Sequence, residues 1–256
     1  GIRRGGAENA RGADLFGRQV PTFRRFWEPL AVAVLNTSAA EGAAKLLWPV
    51  MTETIGRGAA SARPCIARDG LSKAFVDPAL NWLAARGAEI RFNDRLRAIR
   101  IEGGRVAALA FGDGETALGP DDRVVLAVTP PVASSLLPGP VVPDEFRPIL
   151  NLHYKLAAPA ALPGGLPLLG LIGGTAQWLF VRGNILSVTI SAGEREVDQP
   201  AEELTESVWR DIARALALGD VPPPPCRVVK EKRATFAQTP AQVAKRPKPD
   251  AGPRGL

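Results

Sequence analysis

What this sequence lacks narrows it first. Its 256 residues include one histidine, one tyrosine, one methionine and two cysteines. One histidine and two widely separated cysteines, Cys65 and Cys226, cannot complete a zinc site, and neither cysteine belongs to a CxxC pair. Free thiols in a reducing, cytoplasmic compartment are the expectation. No GxGxxG follows a strand, and no P-loop is present: Gly112-Asp113-Gly114 reads as a hairpin turn, and Gly56-Arg57-Gly58 lacks a third glycine. The 32 Lys and Arg against 26 Asp and Glu are scattered, with no basic stripe interleaved with aromatics, so nucleic acid is not an expected partner. No charge interrupts Leu156–Val181, but Pro159, Pro163, Pro167 and five glycines do, which excludes a spanning helix. No signal-peptide pattern opens the chain. Both ends read as cut or disordered.

What is present suffices for a sizeable core, since 46% of residues are hydrophobic. The first twenty residues carry no clear period. A helical pattern runs from Thr22 to Leu35. Ser38, three residues before Glu41, predicts a capping box ahead of a helix at 43–47, with Pro29 and Pro49 bending or ending helices. Asp77 as cap, Pro78 in the first turn and Gly87 at the end predict a further helix, with Leu80, Leu83 and Ala84 toward a core. Residues 88–92 predict a short strand. Gly103-Gly104 and Asp113-Gly114 predict a three-stranded meander over 96–118. Residues 123–128 predict a buried strand. Another hairpin is expected across Arg182-Gly183-Asn184. Leu204, Val208, Ile212 and Leu216 mark one helix face, and a last strand is expected at 227–230.

No segment carries chemistry alone, and no catalytic residue can be named. His153, in a strand-like run without a nucleophile motif, reads as structural or surface rather than catalytic. The cluster Arg24-Arg25-Phe26-Trp27 reads either as an amphipathic core helix or as an interfacial helix with aromatic anchors. Trp178 and Phe180 read as core or pocket wall.

The order of pieces is informative. Gly87-Ala88-Glu89-Ile90, Leu96 to Ile99, Gly103-Gly104-Arg105-Val106, Asp113-Gly114 and Val124 to Pro130 together resemble the flavin amine oxidase and phytoene desaturase superfamily. Phe26-Trp27-Glu28-Pro29-Leu30 with Leu35-Asn36-Thr37, Gly173-Gly174-Thr175-Ala176-Gln177-Trp178, and Glu231 to Phe236 are similar to the squalene-associated FAD-dependent desaturases, the hydroxysqualene dehydroxylases. The resemblance covers about residues 20 to 247. It implies an α+β / α/β fold: part of a Rossmann-like FAD domain with an inserted meander, plus a mixed helix-and-sheet substrate domain. Residues 1–60 and 146–225 would build the substrate domain. Residues 61–145, and a return strand with its tail at 226–256, would belong to the FAD domain. By the same resemblance, Leu96, Ala127, Val128, Thr129 and Pro130 would face FAD, and Phe26, Trp27, Gln177 and Trp178 would line a lipid pocket. The implied reaction is reductive removal of a hydroxyl from hydroxysqualene, with peripheral association at the inner face of the membrane. A carotenoid desaturase, an amine-oxidase-like flavoenzyme or a cofactor-free lipid-binding module are the alternatives. The family's glycine-rich opening and its Gly-Asp closing segment match no residues here, so poor FAD binding is expected of the chain as it stands.

Overall fold

The computed structural model describes residues 9–16, 21–139, 141–249 and 251–256. The glycine- and arginine-rich opening lies largely outside them. In chain order the helices are α1 (Gly12–Phe16), α2 (Glu28–Leu35), α3 (Ala44–Glu53), α4 (Asp77–Ala84), α5 (Pro130–Leu136), α6 (Ala201–Ala215) and α7 (Pro240–Ala244). The strands are β1 (Ala98–Glu102), β2 (Arg105–Ala110), β3 (Glu115–Ala117), β4 (Phe146–Lys155), β5 (Leu168–Gly170), β6 (Trp178–Arg182), β7 (Ile185–Ser191) and β8 (Cys226–Phe236). Two compact units result, one of Gly1–Arg68 with Glu145–Val243, the other of Asp69–Asp144 with Ala244–Leu256.

The first unit is built on a five-stranded antiparallel sheet ordered β5-β6-β7-β4-β8. Alternation decides its faces. Leu150, Leu152 and Tyr154 of β4, with Leu186, Val188 and Ile190 of β7, bury one face against Leu204, Val208, Trp209 and Ile212 of α6. Those α6 residues lie on one stripe, as their spacing predicts. The lone tyrosine is fully buried, and its hydroxyl is satisfied by donating to the Thr205 carbonyl at 2.8 Å. Its ring lies 5.1 Å from that of Trp209. Burial, with Cys226 as the second cause, raises the Tyr154 pKa far above its ordinary range.

A second apolar cluster joins α1, α2 and α3 through Leu15, Phe23, Ala31, Leu35, Leu47 and Met51. Phe23–Trp27 forms a π-helical turn before α2, the Glu28 amide donating five residues back to the Phe23 carbonyl. Pro29 is the physical reason. It has no N–H to offer Arg25, and its ring crowds that carbonyl, so the preceding turn widens. The same device recurs at Ser72–Val76, ahead of Pro78.

In the second unit the predicted meander forms, ordered β1-β2-β3, with Gly103 and Gly104 both at positive φ in the first turn. Several other expectations are corrected. Asp77 is not a helix cap, because the helical backbone already runs through the π turn before it. Leu83 and Trp82 of α4 are exposed and Leu80 is only half-buried, so no described residue gives that face a core. Residues 88–92 and 123–128 are not strands. A strand needs a neighbour to take its ladder of donors and acceptors; among the described residues neither run has a ladder, 123–128 keeping a single bond from the Val124 amide to the Gly255 carbonyl at 2.7 Å. Phe92 is 73% exposed and Val125 91%. Both described sheets are antiparallel.

Two corrections fall in the first unit. Ser38 Oγ does reach Glu41 Oε2 at 3.1 Å, but α3 starts only at Ala44, so the pair closes a loop turn rather than capping that helix. Pro49 sits within α3, which continues past it. The last strand is also longer than expected. It pairs with β4 from Cys226 to Phe236, skipping register where Pro148 cannot donate.

Candidate functional site

The sheet face turned away from α6 carries the candidate site. On β6 it presents Trp178 and Phe180, and on β7 Ser187, Thr189 and Ser191. Thr189 pairs across to Trp178, and Ser187 to Phe180. Leu30 and Ala33 of α2 close over one end. Together with Trp178, Phe180, Thr189 and Ser191 they line a groove of about 280 Å³. Its walls are apolar apart from two hydroxyls, the composition of a site for a mostly hydrocarbon ligand.

The segment 173–178 is built to hold this wall. Asp211 of α6 accepts hydrogen bonds from the Thr175 amide at 2.6 Å and the Ala176 amide at 3.1 Å. A side chain at position 174 would overlap that carboxylate, so glycine is required there, and Gly173 takes φ 84°. Gln177 then acts as an extra rung of the ladder. Its Nε2 donates to the Ser191 carbonyl, and its Oε1 accepts from the Ser191 amide, both at 2.9 Å. Trp178 follows as the groove wall.

Asn36-Thr37 anchors the other side. Asn36 ends α2 in the left-handed region at φ 45°, with its side chain buried. Its Nδ2 donates to Thr235 Oγ1 at 2.9 Å and to the Arg147 carbonyl at 3.2 Å, and its Oδ1 accepts from the Ala192 amide at 2.6 Å. Thr37 Oγ1 accepts from the Gln238 amide at 3.0 Å. One residue thus fixes α2, and with it Leu30 and Ala33, to β4, β8 and the end of β7.

Of the four residues expected in a lipid pocket, Trp178 lines the groove and Gln177 adjoins it through Ser191. Phe26 and Trp27 do not line it. They stack edge to face at 4.8 Å, with Phe26 45% exposed and Trp27 packed on the helical cluster. Leu30, Ala33, Thr189 and Ser191 were not anticipated. The signal for the last two was available: β7 reads Leu-Ser-Val-Thr-Ile-Ser, apolar and hydroxyl residues in strict alternation.

The residues expected at FAD lie in the second unit. Leu96 precedes β1 and is half-buried. Ala127, Val128 and Thr129 are exposed in an unpaired run that leads into α5 at Pro130. They offer main-chain groups and small or apolar side chains, which suit packing against a flat ring. No cationic side chain stands among them. The cleft beside the run, about 700 Å³, is lined by Val124, Val125, Leu126, Leu137, Arg246 and Lys248, among others. Among the described residues no cluster could hold a metal ion. No described helix is long and apolar enough to cross a membrane.

Residues 7–232 match the family described as flavin containing amine oxidoreductase. The chain belongs to that family. Three curated relatives, each named hydroxysqualene dehydroxylase, resemble this flavin amine oxidoreductase chain over most of its length. The relative from Rhodopseudomonas palustris is 48% identical over 230 residues, covering 90% of this chain and 54% of its own. That from Sinorhizobium fredii is 43% identical over 96% and 59%, and that from Zymomonas mobilis 40% identical over 93% and 57%. The chain therefore spans little more than half the length of the curated relatives it matches. Among solved structures, a putative protoporphyrinogen oxidase from Exiguobacterium superposes with a TM-score of 0.58 at 16% identity, over 87% of this chain and 54% of that one. That likeness concerns the fold alone, and it agrees with the mixed helix-and-sheet architecture.

Proposed function

We propose that this chain is part of an FAD-dependent oxidoreductase that removes the hydroxyl of hydroxysqualene to give squalene, a step of hopanoid biosynthesis. The observation that carries the reading is 40–48% identity to three hydroxysqualene dehydroxylases. The apolar groove against α2 supports it. At about 280 Å³ the groove lies near the lower end of small-molecule sites, roughly 300–1,000 Å³, so it takes one segment of a C30 chain.

In this reading the first unit binds substrate. The second carries Leu96 and Ala127–Pro130 toward FAD, which supplies the reducing equivalents when bound. The chain's own residues bind and orient the hydrocarbon and keep water from it: Trp178, Phe180 and Leu30 by apolar contact, Asp211 and Gln177 by holding Trp178 in place. Arg24 and Arg25 are exposed beside Phe26, a grouping suited to peripheral attachment at the anionic inner face of the membrane, where such a substrate resides. The enzyme is assigned to the cytoplasmic side.

Deleting the gene in its source cells tests the function. Hydroxysqualene should accumulate and squalene should fall, with restoration by the intact gene. Unchanged squalene without hydroxysqualene would overturn the proposal. Growth of a carotenoid precursor or an amine substrate instead would move the protein to another branch of the family.

A further inference from the structure

The groove continues into a polar strip that apolar packing does not require. Two rows cross three strands on the face turned away from α6. One runs Trp178, Thr189, Asn151, and the other Phe180, Ser187, His153, each residue the direct cross-strand partner of the next. Partners in register share a face, so each row passes from an aromatic ring to a hydroxyl to a polar side chain. The polar ends are paired. Thr189 Oγ1 donates to Asn151 Oδ1 at 2.8 Å, and His153 Nδ1 lies 2.9 Å from Ser187 Oγ. Asn151, His153, Ser187 and Thr189 are all half-buried, neither sealed in the core nor fully solvated.

We infer that this strip is the recognition site for the hydroxyl of an isoprenoid alcohol, with His153, oriented by Ser187, as the residue that holds it. The inference rests on the reading that the groove takes such a ligand. The aromatic ends of the rows take the hydrocarbon, and the polar ends take the single group that can both donate and accept. His153 is favoured over Asn151 because the contact at Nδ1 fixes the ring and leaves Nε2 without a partner among the described residues. A neutral imidazole can donate or accept there. Ser187 is a positioning residue that sets the ring's orientation. Thr189 and Asn151 continue the groove wall into the strip. The only histidine in the chain thus stands beside the groove, on the open face of the sheet that lines it.

The test compares farnesol with the hydrocarbon farnesene as probes, binding each to the full gene product and following tryptophan fluorescence. The wild-type protein should bind farnesol roughly three- to tenfold tighter, the worth of one net hydrogen bond. His153→Ala and His153→Phe should bring that ratio to about one while leaving farnesene affinity unchanged. Trp178→Ala should weaken both probes together. Ser187→Ala, which keeps the ring, should lower the ratio in part, and it carries the test if a His153 variant fails to fold. A ratio unchanged in the His153 variants, or in Ser187→Ala where it stands alone, overturns the assignment but leaves the alcohol-binding reading intact. Equal wild-type affinity for both probes overturns the inference outright. The gene deletion separately decides the reaction.

Discussion

Replacing Asn36 with alanine would test whether one side chain ties the helical layer of the first unit to its sheet. The substitution removes three hydrogen bonds and strands their partners: the Arg147 carbonyl, the Thr235 hydroxyl and the Ala192 amide. A net hydrogen bond is worth about 0.5–1.5 kcal/mol, and a stranded buried group costs about 1–3 kcal/mol. Alanine also lacks the local tolerance of asparagine for φ 45°, worth about 1 kcal/mol. Relaxation and water at the half-buried partners recover part of this. The expected loss is about 3–5 kcal/mol, read from urea unfolding of the first unit by tryptophan fluorescence. Asn36→Gly should recover about 1 kcal/mol of it, isolating the backbone share. Asn36→Asp should keep the bond from Ala192 and lose the two donated bonds. A loss below about 1 kcal/mol for Asn36→Ala would refute the reasoning, since the side chain would then not couple the two layers.

Two further expectations follow from the site. Asp211→Ala frees the Thr175 and Ala176 amides, and should cost about 2–3 kcal/mol while loosening Trp178, seen as a red-shifted and broadened fluorescence of that residue in a protein with the other tryptophans replaced; an unchanged spectrum would show that the wall is held otherwise. Cys226 is half-buried, and burial pushes its thiol pKa up, whereas Cys65 is exposed; in mass spectra after brief alkylation near pH 8 Cys65 should be modified first, with Cys226 following only on unfolding, and equal rates would contradict the packing around Tyr154.

The sequence made some of this legible and hid the rest for physical reasons. Hairpins at 103–104 and 182–184, and the helix through Leu204, Val208 and Ile212, are local signals, and they form as read. The strand patterns at 88–92 and 123–128 describe what such residues do when neighbours pair with them. Among the described residues only the single bond from Val124 to Gly255 does so, and one bond is not a ladder, so the pattern alone misleads. Asp77 looked like a cap because the widened turn before Pro78 leaves no mark in composition. At the site, Gln177 and Trp178 were legible through their motif. Leu30 and Ala33 were not, because only the anchoring of Asn36, through partners up to 199 residues away, brings α2 over the sheet. Asp211 was equally hidden. It is one acidic residue among several on α6, and its role exists only against Gly174.

The first unit is interrupted. Residues 69–144, the larger part of the second unit, lie between its two stretches, and Thr37 and Ala43 are bonded to Gln238 at its far end. As the chain leaves the ribosome, the apolar surfaces of α2 and α3 must therefore wait through the making of some two hundred residues before their last partners appear. Meanwhile most of the second unit is synthesised. Late closure of this kind leaves early segments exposed to holding chaperones, and it makes the arrival of β8, rather than any local helix, the event that completes the groove.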